Sequence, residues 1–154
     1  MHKEGNCPDG TILTTLEYKI TIPSAHALLV RYLKAAHADA KIIQLSCYIL
    51  DGTLQSYKLL HYLPSQLAAA AVLIARKSVG RNTWSPTLLN YSSYCEKDII
   101  PVAKAVLSEK TSASQELSAI NKKYSSERYG FVLAHHSIVI CKDTRGLGLI
   151  YLWL

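Results

Sequence analysis

LPSQLAAAAVLIARKSVG, residues 63–80, is the stretch on which the fold turns. Pro64 suits the first turn of a helix, where its missing N–H has no partner to lose. Leu67 to Ala75 is then apolar without interruption, so no side of the helix is left for water. Such a helix belongs at the buried centre of a domain. Ala68 to Ala71 combine the highest helix propensity with the smallest side chain, which lets neighbouring helix axes approach closely. Arg76 and Lys77 put positive charge at the negative end of the helix dipole, and Gly80 is free to adopt a left-handed cap. The run is far short of the roughly 20 apolar residues that a bilayer-spanning helix needs.

Upstream, Leu28, Leu29, Tyr32, Leu33 and Ala36 recur at helical spacing and define one face of a helix. Ile12, Leu13, Leu16 and Ile20 suggest a short helix or helix end before it, and Pro23 stands where the next helix can begin. His37-Ala38-Asp39 reads as a break with Asp39 as N-cap; Ile42, Leu45, Ile49 and Leu50 are the buried side of a helix reaching Leu54. Downstream, Ser85 caps a helix whose first residue is Pro86, with Trp84 placed to staple onto Leu89. Ser85-Pro86 is also a minimal target for proline-directed kinases, but the flanking residues complete a cap. A helix starting at Glu96 to Asp98 carries Pro101 early and buries Ile99, Val102, Val106 and Leu107. Lys110 to Gln115 reads as a polar break, and Leu117 to Tyr124 as a short helix. Ser137 to Cys141 has strand character, Gly146 and Gly148 interrupt it, and the chain closes on the apolar Leu149 to Leu154. The expectation is an all-α five-helix bundle, four helices wrapped around a central Ala-rich one, with a tail that is strand-like or disordered.

Composition agrees. The chain has 154 residues, 49% hydrophobic and 18% charged, which is one domain with enough apolar surface for a core. A net charge of +6 raises the prospect of a nucleic-acid partner. Its distribution argues otherwise, because the basic residues fall singly or in pairs and form no phosphate-binding stripe. Cys7, Cys47, Cys95 and Cys141 form no CxxC pair and no secretory signal precedes them, so reduced thiols and a nuclear or cytoplasmic location are expected. Tyrosines far outnumber Phe and Trp, a set that buries rings while keeping a polar tip bonded.

No catalytic spacing is present: no GxSxG, no GxxxxGK[ST] and no HExxH. His135, His136 and Cys141 lack the spacing of a zinc site. His26, His37 and His61 read as packed or capping residues, and Asp39, Asp51 and Asp98 as caps and turns. No enzyme activity, cofactor, metal, small-molecule substrate or membrane association is therefore expected.

ILTTLEYKITIPSAHALLVRYLKAAHA from Ile12, the Leu63 segment above, WSPTLLNYSSYCEKDIIPVAKAV from Trp84 and INKKYSSERYG from Ile120 stand in a telling order. Together they resemble the C-terminal box of mitotic cyclins, the A and B types, over residues 9–133. The most specific parts are Tyr62-Leu63-Pro64-Ser65 before the alanines, Trp84 before a capped helix, and the closing Lys123-Tyr124-Ser125-Ser126. The resemblance implies an all-α cyclin box of five helices. It also implies a regulatory subunit that binds a cyclin-dependent protein kinase and reshapes its active site while catalysing nothing itself.

Family members carry two boxes, and the first holds most of the kinase-binding surface and a substrate-docking motif of Met-Arg-Ala-Ile-Leu type, which is missing here. By resemblance residues 1–20 are the remnant of the last helix of a first box, 21–133 the C-terminal box and 134–154 a tail outside the family pattern. By the same resemblance Leu13, Tyr18 and Ile20 fall where relatives present apolar residues to the kinase, with Asp9 at an acidic contact and Tyr18 in place of the usual Phe. These residues fit equally well in an isolated box, where they would simply pack on the next helix or lie exposed. Binding to a kinase is expected to be weak, since a stable interface buries about 1,200 Å² or more and part of one helix supplies less. Two other readings stay open: a nucleic-acid-associated cyclin-like module, and a helical scaffold with no kinase partner.

Overall fold

A computed structural model describes residues 8–81, 84–113, 118–126, 140–141 and 150–151. Its helices are α1 (Pro8–Thr15), α2 (Ala25–Ala35), α3 (Ala40–Thr53), α4 (Pro64–Ser78), α5 (Pro86–Ser92), α6 (Glu96–Ala113) and α7 (Ser118–Tyr124), with a 3₁₀ turn at Tyr57–Leu59. The all-α expectation holds, with α2 to α6 forming the bundle. The tail is outside the described residues apart from one antiparallel pair. In it β1 (Ile140–Cys141) faces β2 (Ile150–Tyr151), so the strand character at Ile140 and Cys141 is realised.

α4 is the centre for the reason its composition gives. Ala68 to Val72 and Ala75 are completely buried, and α2, α3 and α6 pack directly on this helix. The expected ring of four helices is corrected here, because α5 lies mainly on α2 instead. Leu29, Tyr32 and Leu33 of α2, Ile42, Leu45, Ile49 and Leu50 of α3, and Ile99, Val102, Val106 and Leu107 of α6 close the core. At α4's C-terminal end Arg76, nearly buried, donates from Nη1 to Ala36 O at 3.3 Å, which joins the ends of α4 and α2.

The helix ends show how the bundle is cut to length. α2, α4 and the segment after α1 all finish in Schellman motifs, where the residue past the cap turns left-handed and two N–H groups reach back. At α4, Gly80 has φ +69° and Arg81 N–H bonds Arg76 O at 3.0 Å. His37 does the same for α2 at φ 46°, with Ala38 N–H on Leu33 O at 3.1 Å. Ser24, not Pro23, caps α2, its Oγ accepting from Ala27 N–H at 3.2 Å. Ser85 caps α5 as expected, accepting from Leu88 N–H at 3.2 Å, and Trp84 is held by its indole N–H on Tyr94 O at 2.9 Å. α4 and α6 begin alike. Gln66 Oε1 accepts from Leu63 N–H, and Asp98 Oδ2 from Cys95 N–H, each at 3.1 Å.

Three readings of single residues change. The first part of the expected polar break, Lys110 to Ala113, is the last turn of α6, where Lys110 and Ala113 are strong helix formers; 114–115 lie outside the described residues. Asp39 stands at the α3 N-cap position but makes no capping bond; Arg81 Nη2 holds its carboxylate at 2.6 Å. Asp51 is no cap or turn residue. It lies inside α3 and takes the Tyr124 hydroxyl at 2.9 Å and Lys123 Nζ at 2.6 Å, fastening α7 to the bundle.

Candidate functional site

α1 and the segment after it carry the residues singled out for partner binding. Thr14 and Thr15 return their hydroxyls to Gly10 O and Thr11 O, each at 2.7 Å, as threonines in short helices often do. The helix then ends at a Schellman motif whose left-handed residue is Glu17, φ 49°, with Glu17 N–H on Thr14 O at 3.0 Å and Tyr18 N–H on Leu13 O at 2.9 Å. That reciprocal pair brings Leu13 and Tyr18 to the two ends of one turn, the positions where this motif usually seats an apolar contact. Tyr18 is itself left-handed, φ 56°, so the chain changes direction over two consecutive non-glycine residues.

Leu13 is half-buried, while Tyr18 and Ile20 are 66% and 60% exposed. Tyr18 and Ile20 therefore do not pack into the core. Ile12 and Leu16, read above as part of a short helix, and Ile22 join them as exposed large apolar residues. Asp9 lies in α1, and its side chain is outside the described residues. A short segment with this much unburied apolar surface is unusual for a chain standing alone.

A second feature lies beside α3. A cavity of about 80 Å³ opens between α3, the 3₁₀ turn, α6 and α7, lined among others by Tyr48, Gln55, Ser56, Leu59, Lys110 and Asn121. Tyr48 meets Tyr124 edge-to-face at 5.3 Å between centroids and donates its hydroxyl to Asn121 Oδ1 at 3.0 Å. Burial pushes the Tyr48 phenol above its ordinary range. Glu109 at the rim is fully engaged, accepting from Ser56 Oγ at 2.8 Å and Lys58 Nζ at 3.1 Å, and those bonds hold its carboxyl below the usual value. Lys110 Nζ differs. It is shielded from water, has no hydrogen-bond partner among the described residues and rests 3.5 Å from the Tyr48 ring centroid. Desolvation lowers its pKa to about 7.

Among the described residues no cluster of His, Cys, Asp and Glu is arranged to hold a metal ion, and no helix is long and apolar enough to cross a membrane. Cys47 and Cys95 are free thiols, and burial raises the Cys47 thiol pKa.

Residues 23–137 match the family described as "Cyclin, C-terminal domain". A G2/mitotic-specific cyclin-B of Spisula solidissima is 35% identical over 119 residues, covering 77% of this chain and 28% of the relative. G2/mitotic-specific cyclin-3 of Saccharomyces cerevisiae is 34% identical over 132 residues, covering 86% and 30%. A G2/mitotic-specific cyclin-B of Patella vulgata is 38% identical over 123 residues, covering 77% and 29%. The chain thus spans less than a third of the length of these relatives. Its Ala-centred helical bundle and the match over most of its length converge on one assignment: the chain belongs to the cyclin family, as a cyclin C-terminal domain.

Proposed function

We propose that this chain acts in cell-cycle control as a non-catalytic cyclin-type regulatory module, in the nucleus or cytoplasm. In this reading the surface of α1 and the following segment faces a cyclin-dependent protein kinase. The observation that carries it is the apolar row of Ile12, Leu16, Tyr18, Ile20 and Ile22, each left about half exposed or more among the described residues. Apolar side chains left in water favour association with a partner by roughly 25 cal/mol per Å² removed from solvent. A lone segment falls short of the area of a stable complex, so the isolated chain binds weakly.

Calorimetric titration of the chain into a cyclin-dependent kinase tests this. Micromolar or weaker binding, lost when Tyr18 and Ile20 are both changed to Ser, is the expected result. Nanomolar binding overturns the weak-affinity reading, and binding indifferent to those two changes overturns the assigned surface. Recovery of such a kinase with the chain from its native cells separates this function from a scaffold without a kinase partner.

A further inference from the structure

We propose that the cavity between α3, the 3₁₀ turn, α6 and α7 is a docking site for an acidic, apolar peptide segment of a partner protein, one carboxylate of which seats on Lys110. Two independent features meet there. The first is an ammonium without a counter-ion among the described residues. Lys110 Nζ is removed from water, has no hydrogen-bond partner among the described residues, and rests over the face of Tyr48 at 3.5 Å. The neighbouring acids do not serve it. Glu109 is taken by Ser56 and Lys58, and Asp51 by Lys123 and Tyr124. A cavity of about 80 Å³ has room for a carboxylate, since a single water needs about 10–15 Å³ on this measure. Gln55 and Asn121 line it with amide groups, and Asn121 Oδ1 already accepts from Tyr48, so its N–H₂ remains to donate.

The second feature is the ridge beside the cavity mouth. Leu54, Tyr57 and Leu60 are 77%, 86% and 69% exposed and recur every third residue along the segment between α3 and α4, with Tyr57 opening the 3₁₀ turn and Leu60 just past it. Gln55, Ser56 and Leu59 of the same connecting segment line the cavity, so socket and ridge share one short stretch of chain. An acid in the socket supplies the missing counter-ion, and leucine or aromatic side chains next to it cover the ridge. A basic peptide is repelled, and a neutral apolar one leaves the ammonium unpaired. This site lies apart from the α1 surface and needs no kinase, so its test stands or falls without regard to the function proposed above.

A phage-displayed random dodecapeptide library is selected on the full chain, and the enriched peptides are resynthesised for fluorescence polarisation. The expected peptides place Asp or Glu beside leucine or aromatic residues. Their affinity falls at least about tenfold with Lys110→Met, with the peptide's acid changed to its amide, or with Tyr57→Ser and Leu60→Ser together. Lys110→Arg restores part of the loss. Circular dichroism confirms that each variant is folded; if Lys110→Met is not, the acid-to-amide peptide series on the unaltered chain decides. No enrichment, peptides without an acid, or equal binding by the Lys110→Met chain each overturn the proposal. Competition by sodium acetate as strong as that by free peptide also overturns it, since the cavity would then take any free carboxylate.

Discussion

Replacing Lys110 by Met keeps most of the side chain's length and apolar stem while removing the ammonium. In the unfolded chain the amine ionises near 10.5, and in the folded chain near 7. Below about pH 7 both states are protonated, and the folded state bears the whole cost of burying the charge. Between about pH 7 and 10.5 the folded amine is neutral while the unfolded one is charged. The folded state binds fewer protons there, so stability rises with pH until the cost has gone. At 1.36 kcal/mol per pH unit, the interval from about 7 to 10.5 sets a ceiling of about 5 kcal/mol. Water entry, relaxation of the side chain and the lost contact with Tyr48 reduce the net gain to about 2–4 kcal/mol. Urea unfolding of both proteins between about pH 6 and pH 10 is the assay. Lys110→Met is expected to be the more stable at about pH 6, with the gap closing steadily as the pH rises; groups common to both proteins largely cancel in the difference. A gap that does not change with pH, or a variant less stable throughout, would refute an unpaired buried amine.

Ala70 is completely buried where α4 meets its neighbours, so Ala70→Leu forces the helices apart and costs about 1–3 kcal/mol or more in chemical denaturation. Gly80→Ala costs about 1–2 kcal/mol through its φ of +69° alone, since an added Cβ meets nothing within 4 Å; a loss as large as that of a core cavity would show a packing role instead. Tyr124→Phe removes the hydroxyl bond to the Asp51 carboxylate and lowers stability by about 1.5–3 kcal/mol, with amide exchange in α7 accelerating first. Ser46 is buried in α3 with no partner for its hydroxyl among the described residues, so Ser46→Ala raises the unfolding free energy by about 1 kcal/mol; a loss would reveal a bond to that oxygen.

How far the chain could be read from its residues varied with the distance over which each feature is decided. The boundaries of α4, the start of α5, the cap at Ser85 and the left-handed Gly80 follow from neighbours within one helical turn, and all were legible. Glu17 and His37 were not read as left-handed, because their side chains do not advertise that conformation as glycine does. Leu13, Tyr18 and Ile20 were picked out by family likeness. Whether they are core or exposed depended on how α1 leaves the bundle, and two of them face water.

Asp51 and Lys110 are the clearest cases of what local pattern misses. Each looks like an ordinary surface charge, yet one holds Tyr124 from 73 positions away and the other lies against Tyr48 out of reach of water. By itself the sequence determined an all-α bundle built on an alanine-rich rod, since helical periodicity and capping act between residues three or four apart. Only the tertiary structure decided which polar groups meet, which cation is left without a partner and which apolar row is left uncovered. Those outcomes depend on helices distant in the chain closing on one another, and side-chain spacing along a single helix carries no information about that closure.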